Sequence, residues 1–303
     1  MRRQAAVPAV VTLLSLGLAG CSQSGNPTSG STPTSDRGSP TDVAAVAPAV
    51  ASDYSNAVFT ANSARITNPW MGFTVGRYWE MRGTAIDGKH TIQRRVVATV
   101  TDLTKVIDGV RTAVLYEEDF DDGELVEAEI SFYAQDTAGN VWHMGEYPQE
   151  FENGKFSKAP TWIAGLAGAK AGVMMRNQPR PATPAYAEGY APAPLNWDDH
   201  AKVLRTGERV CVKTGCYRHV TEIAEFEPRI PKAFQNKFYA PGVGNIKVGW
   251  SGVNEDDHET LRLVLLRQLS DAQQARMRQQ ALALQASAYR HSPDVYGRTQ
   301  PAR

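Results

Sequence analysis

Acidic side chains are the residues with the most chemistry to offer. Glu117, Glu118, Asp119, Asp121, Asp122, Glu124, Glu127 and Glu129 crowd one short stretch. Calcium takes several oxygens, and a turn with adjacent carboxylates can supply them, which makes Asp119, Asp121, Asp122 and Glu124 its candidate ligands. An EF-hand is not met, because taking Gly123 as the loop glycine puts Phe120 where an oxygen is required. The alternative is a solvated hairpin tip that guards a sheet edge. His143, next to Trp142, would act as acid or base if paired across a sheet with Glu127 or Glu129; otherwise it is a satisfied side chain on a wet face. His90, His200, His219 and His258 carry no ligand spacing. Neither a Gly-x-Ser-x-Gly elbow nor a Ser-x-x-Lys with its companion motifs is present. No catalytic residue and no cofactor is assigned.

The acids must be positioned by strands. Between Glu124 and Tyr147, Val126, Ala128, Ile130, Phe132 and Ala134 alternate with Glu127, Glu129, Ser131, Tyr133 and Gln135. This period of two describes a strand with the first set buried and the second wet. Asp136 to Asn140 supplies turn residues, and Val141 to Met144 returns. Asp87-Gly88, Asp108-Gly109 and Asp122-Gly123 mark three further hairpin turns. Long strands joined this way predict a mainly β fold, a curved antiparallel meander that makes a half-barrel or barrel-like sheet. Residues 157 to 199, rich in Gly and Pro, predict a segment covering the sheet, as a lid or as a plug that closes the core. Strands resume from His200 to Leu269. Ser270 and Gln273 then offer a capping box for a C-terminal α-helix with Met277, Ala281, Leu284 and Ala288 on one stripe. That helix is expected to pack weakly or project, and residues 292 to 303 to be disordered.

Six aromatics, Trp70, Phe73, Tyr78, Trp79, Tyr133 and Trp142, are placed to line the concave side of such a sheet. Ligand sites are mostly apolar with a few polar anchors, so an apolar or lipid-like ligand is expected there. A core filled by the same aromatics is the alternative.

The N-terminus reads as an address. Arg2 and Arg3 precede an apolar run that is too short to span a bilayer, and it ends Leu18-Ala19-Gly20-Cys21. Those four residues resemble the lipobox of bacterial lipoproteins. The resemblance implies a signal peptide over 1–20 and diacylglycerol with palmitate-type chains on Cys21. Ser22 in place of Asp then implies the outer membrane if the cell is Gram-negative. Residues 21–52 are mostly Ser, Thr, Gly, Pro and Ala, which cannot bury enough surface to fold and so form a tether. One β domain is expected over 53–270, with the helix and tail over 271–303. Losing residues 1–20 leaves 30 basic against 32 acidic side chains. Such a balance, without a basic run, argues against nucleic acid as a partner. Cys211 and Cys216 sit opposite one another if Lys213 and Thr214 form a two-residue turn. An exported chain favours a disulfide there; free thiols are the alternative, and zinc lacks a second ligand pair.

The run Phe132-Tyr-Ala-Gln-Asp136, followed by Gly139-Asn-Val-Trp142 and Gly145-Glu146, resembles a group of uncharacterised bacterial exported proteins. The likeness takes in Trp70-Met71-Gly72, Cys211-Val-Lys-Thr214 and Tyr239-Ala-Pro-Gly-Val-Gly244, with Cys216 and the helix after Ser270 as additions. The curled meander behind a lipidated tether also looks like the half-barrel lipoproteins that carry other lipoproteins to the outer membrane. Neither group lends a catalytic residue. The reading is therefore a membrane-anchored envelope lipoprotein that binds its ligand without enzymatic activity. An interaction module that presents the acidic hairpin and C-terminal helix to an envelope protein is the alternative, and a hydrolase comes third.

Overall fold

The computed structural model describes residues 56–87, 90–256 and 258–303. Cys21, the signal-peptide stretch and the tether lie outside the described residues, as does Gly88 of the first Asp-Gly turn. Asp108 and Gly109 both have positive φ, 47° and 77°, and so do Asp122 and Gly123, 50° and 91°. Two left-handed residues in a row make the tight hairpin turn whose twist matches that of the strands it joins. These turns fold the first half into a meander of long strands: β1 (Arg77–Asp87), β2 (His90–Ile107), β3 (Val110–Asp121), β4 (Glu124–Gln135) and β5 (Val141–Glu152).

The covering segment is built from short strands, β6 (Lys155–Lys158), β7 (Trp162–Ile163), β8 (Lys170–Met175), β9 (Tyr186–Ala187) and β10 (Gly189–Tyr190). Five strands follow, β11 (His200–Val212), β12 (Gly215–Phe226), β13 (Phe234–Ala240), β14 (Gly244–Ser251) and β15 (Thr260–Gln268). All belong to one antiparallel sheet in the order β10-β8-β5-β4-β3-β2-β1-β15-β14-β13-β12-β11-β9, with β6 and β7 also paired to β5. The sheet is not closed into a barrel by strand pairing. Instead one stretch, Tyr186 to Tyr190, borders both ends: Ala187 pairs with His200 of β11, and Gly189 with Ala171 of β8. Lys213 and Thr214 form the expected turn, and Cys211 is bonded to Cys216 directly across β11 and β12. Among the described residues no helix is long and apolar enough to cross a membrane.

The C-terminal helix α1 (Asp271–His291) starts where the capping box places it, with the Ser270 N–H donating to Gln273 Oε1 at 3.0 Å. It does not project. Ala281, Leu284 and Ala288 are buried and belong to one cluster with Ile130 and Phe132 of β4. The tail after it is ordered, contrary to expectation. Tyr296 is fully buried against Phe132, Tyr147 and Tyr289. Lys105, itself buried, stands over the Tyr296 ring at 4.2 Å and donates to the Gln300 carbonyl at 2.6 Å. Arg303 exchanges two backbone hydrogen bonds with Thr104, both 3.0 Å. A polar, Gln- and Arg-rich composition hid this docking, which rests on a few aromatic and small side chains.

This packing also reverses the expected roles of the faces of β4. The apolar face is outside and lies under the helix, while Glu129, Ser131 and Tyr133 face the concave interior, and Glu127 on the same side is buried too. Tyr296→Ala should therefore destabilise the domain by about 3–5 kcal/mol, as for other buried aromatics truncated to alanine. A urea denaturation midpoint within error of wild type would show that the tail does not hold the outer face.

Candidate functional site: an acidic interior cavity

Local irregularities aim side chains into the interior. In a regular strand His143 and Glu146 would point to opposite faces. Here β5 carries a bulge, since Phe132 pairs with Gly145 but Tyr133 with His143, which leaves Met144 as an extra residue. Gly145 has φ 138°, and a Cβ there would meet the Trp162 carbonyl at 2.6 Å, so glycine is needed where β7 crosses. The bulge turns both His143 and Glu146 inward. Trp162 Nε1 donates to Glu146 Oε1 at 3.0 Å. The His143 ring stacks on Tyr133, with centroids 5.0 Å apart, and meets Trp162 and Trp197 edge-on.

The interior encloses a cavity of about 150 Å³. Its wall is largely apolar, with Met71, Met81, Val96, Leu115, Val248 and Leu261 among the lining side chains, but it also carries acids that were not expected there. Glu117 and Asp119 of β3 line it, with Glu129 of β4 and Glu146 of β5. Glu188 and Asp199 come from the covering segment, Glu225 from β12, and Glu259 from the loop before β15. The pleat sets the acids in rows, with Glu117 opposite Glu129 and Asp119 opposite Glu127. Like charges directly opposite are destabilising.

Two cations stand among them. Lys237 of β13 is ion-paired to Glu225, and Arg94 of β2 bonds Asp121 and Glu259. Asp119 Oδ1, Glu188 Oε1 and His143 Nε2 are buried without a hydrogen-bond partner among the described residues.

Burial decides the protonation of this cluster. With help from Glu129 facing it, burial pushes Glu117 up to about 8. Burial lifts Glu129 to about 7 against a hydrogen bond from Ser131. Asp199 is pushed up to about 8 by burial and by Glu225. Asp119, Glu127, Glu146 and Glu188 are raised for the same first reason. Burial alone would lower Lys237, but its ion pair with Glu225, with Glu188 also nearby, outweighs that and holds it charged. His143 is lowered to about 3 by burial. Its Nε2 lies 3.4 Å from Glu146 Oε2, an ion-pair distance, but the neutral ring makes this a contact between uncharged groups.

Of the six aromatics expected at the site, Phe73, Trp79 and Tyr133 line the cavity. Trp70 packs part-buried against the main core. Tyr78, next to inward-facing Trp79, carries Arg267 over its ring at 4.7 Å. Trp142 is tied to Asp136 by its Nε1 at 2.9 Å and packs edge-on against Phe59.

The four calcium candidates are not brought together. Asp119 points inside, Asp121 is taken by Arg94, Asp122 accepts from the Gln93 N–H, and Glu124 is exposed. Among the described residues no cluster of three or more His, Cys, Asp or Glu side chains could hold a metal ion. Sequence reading missed Glu117, Glu146, Glu188, Asp199, Glu225, Lys237 and Glu259 as one site; only the strict alternation of Glu127, Glu129, Ser131 and Tyr133 hinted at a polar lining. A larger groove of about 670 Å³ lies between residues 61–75 and β2, and no charged side chain lining it is buried.

No protein-family model and no curated protein sequence matches the chain. Among solved structures it is similar to a Bacteroides fragilis NCTC 9343 protein inferred to be exported and described as having a YmcC-like fold. The identity is 14% over 65% of this chain and 98% of that one, with a TM-score of 0.39. It is also similar to a protein of Parabacteroides distasonis ATCC 8503 inferred to be a lipoprotein, at 13% identity, 66% and 99% coverage and a TM-score of 0.32.

The pH dependence of stability follows from the cluster. Its acids bind protons more tightly folded than unfolded, so their contribution is full below the ordinary carboxylate range and is lost as pH rises through about 7 to 8. His143 acts in the opposite sense, its share being lost as pH falls from roughly 6.5 toward about 3. Several acids outweigh one imidazole. Scanning calorimetry should therefore give a higher thermal midpoint near about pH 5 than at about pH 8, and the reverse order would mean that the cluster is ionised in the native protein.

Proposed function

We propose that this protein is a lipid-anchored component of a cell envelope that binds a small molecule in its interior without transforming it. The observation that carries the reading is the unfilled interior. Among the described residues, buried carboxyl oxygens on Asp119, Glu188 and Glu225 lack hydrogen-bond partners, and all three residues line a cavity between two walls of one sheet. Buried polar groups are ordinarily paired, so a group supplied from outside accounts for them. A cavity of about 150 Å³ suits a molecule of roughly benzene size. That narrows the expected apolar or lipid-like ligand to something far smaller than an acyl chain, carrying polar groups against the acids and an apolar part against Phe73, Trp79 and Trp197.

The anchor rests on Arg2, Arg3 and the Leu18-Ala19-Gly20-Cys21 motif, and the Cys211–Cys216 disulfide suits an oxidising compartment. The interaction-module alternative keeps only part of its two surfaces, the exposed Asp122 and Glu124 at the hairpin tip and the outer face of helix α1. Glu117, Asp119 and Glu129 of the acidic hairpin line the interior, and the helix is packed down.

One observation favours a second reading, hydrolysis. Glu117 and Glu129 face one another with pKa values of about 8 and about 7, the range in which general acids and bases work.

Native mass spectrometry of the full-length protein, released gently from detergent, should show an adduct of small-molecule mass. A spectrum free of any adduct, from protein never exposed to denaturant, would sink the binding reading; conversion of the added ligand to product would favour hydrolysis. Feeding cells an alkyne-tagged palmitate should label wild type and not Cys21→Ser. Equal labelling of both would remove the anchor.

A further inference from the structure

We infer that the interior cavity takes an organic cation, an amine with an apolar or aromatic body, held by the acid rows and by the aromatic rings. The inference deepens the binding reading above and rests on it.

Charge imbalance is the first ground. The lining from β1, β2, β14 and β15 is apolar or uncharged, and the titratable groups around the rest of the cavity are mostly acids. The β3–β5 wall supplies Glu117, Asp119, Glu129 and Glu146, with neutral His143 and the Tyr133 hydroxyl beside them. Across the cavity stand Glu188, Asp199 and Glu225, with the Tyr239 hydroxyl and the cation Lys237. Glu259 and Arg94 close the end toward β15 and are bonded to each other. Lys237 is taken by Glu225 and Arg94 by Asp121 and Glu259, so the acids around the cavity outnumber the two protein cations.

The unpartnered atoms are the second ground. Asp119 Oδ1 and Glu188 Oε1 are acceptors buried without a donor among the described residues. An ammonium brings up to three donors to just such atoms. The rings are the third. Phe73, Trp79, Tyr133 and Trp197 line the same cavity, and an aromatic face attracts a cation more strongly where water is excluded. A metal ion would need three or more ligands converging on a point, and no such group exists among the described residues.

The inference has a signature that a neutral ligand cannot produce. In the empty protein burial favours the protonated forms of Glu117, Glu129 and Asp119. A cation entering the cavity favours the ionised form, so each acid that answers it must release a proton to solvent. Affinity then rises with pH, by about tenfold between about pH 6 and 8 for each proton released from a group titrating near 7.

Isothermal titration of the full-length protein in detergent provides the test. The probes are 1,4-diaminobutane and benzylamine, with 1,4-butanediol, benzyl alcohol and calcium chloride as controls, in two buffers of different ionisation heat. At least one amine should bind, at least tenfold more tightly at about pH 8 than at about pH 6, with heat that depends on the buffer. In the double variant Glu117→Gln with Glu129→Gln, amine affinity should fall at least tenfold and the pH dependence should shrink. Glutamine is close in shape to the protonated acid, so a thermal midpoint at about pH 5 near that of wild type will establish that the variant folds.

Binding of the diol or alcohol as tight as the matching amine would overturn the inference, as would binding of calcium alone, no amine binding, or unchanged amine binding in the folded double variant. A neutral or anionic adduct in the mass spectrum would overturn it and leave the binding reading standing, whereas no adduct at all removes both.

Discussion

A strand has two faces, and in this protein helix α1 with its tail takes the apolar face of β4. Ile130 and Phe132 are buried with Ala281, Leu284, Ala288 and Tyr296. Because the pleat alternates strictly, that choice leaves the intervening residues no place but the concave side. Glu129, Ser131 and Tyr133 are thus committed to the interior by what happens on the outside. The cost of setting acids in opposed rows is met by protonation, since a carboxyl that keeps its proton is a hydrogen-bonding group and not a buried charge.

The rest of the interior is arranged around those rows. The bulge at Met144 brings His143 and Glu146 to the same side, and the covering segment contributes two stacked tryptophans, Trp162 and Trp197, with centroids 4.7 Å apart. Gly189 lies against that pair, where a Cβ would come within 2.3 Å of the Trp197 ring. The stretch that borders both ends of the sheet is thereby also the one that carries Glu188 into the cavity. Closure of the fold and delivery of an acid to the site are done by the same few residues.

Much of the architecture was legible in the sequence for reasons that are local. Asp-Gly pairs force a left-handed turn, alternation fixes a strand, and Ser270 with Gln273 starts a helix; each depends on a handful of neighbouring residues. The Cys211–Cys216 pairing was legible because the turn between the two is only two residues long. Which face of β4 is inside was not, because the period is identical either way and the arbiter is a helix that begins only at Asp271, far downstream of Gln135 where β4 ends. The tail was misread because its composition is polar, although Tyr296 alone fills a gap among three aromatic rings. The site itself is scattered from Arg94 to Glu259, and nothing in the spacing of Glu188, Asp199, Glu225 and Lys237 announces that they meet.

Counting charges along the chain gives 32 basic and 32 acidic side chains, a formal balance of zero. Inside the fold, Glu117 and Asp199 are pushed to about 8, and Asp119, Glu127, Glu146 and Glu188 are raised as well. Each acid that stays protonated at neutral pH subtracts one negative charge, while among the described lysines and arginines only Arg94 and Lys105 are fully buried, Lys105 being lowered to about 7. The empty folded protein would accordingly carry more positive charge than its sequence implies, and unfolding the chain without residues 1–20 would return it to 30 basic against 32 acidic side chains.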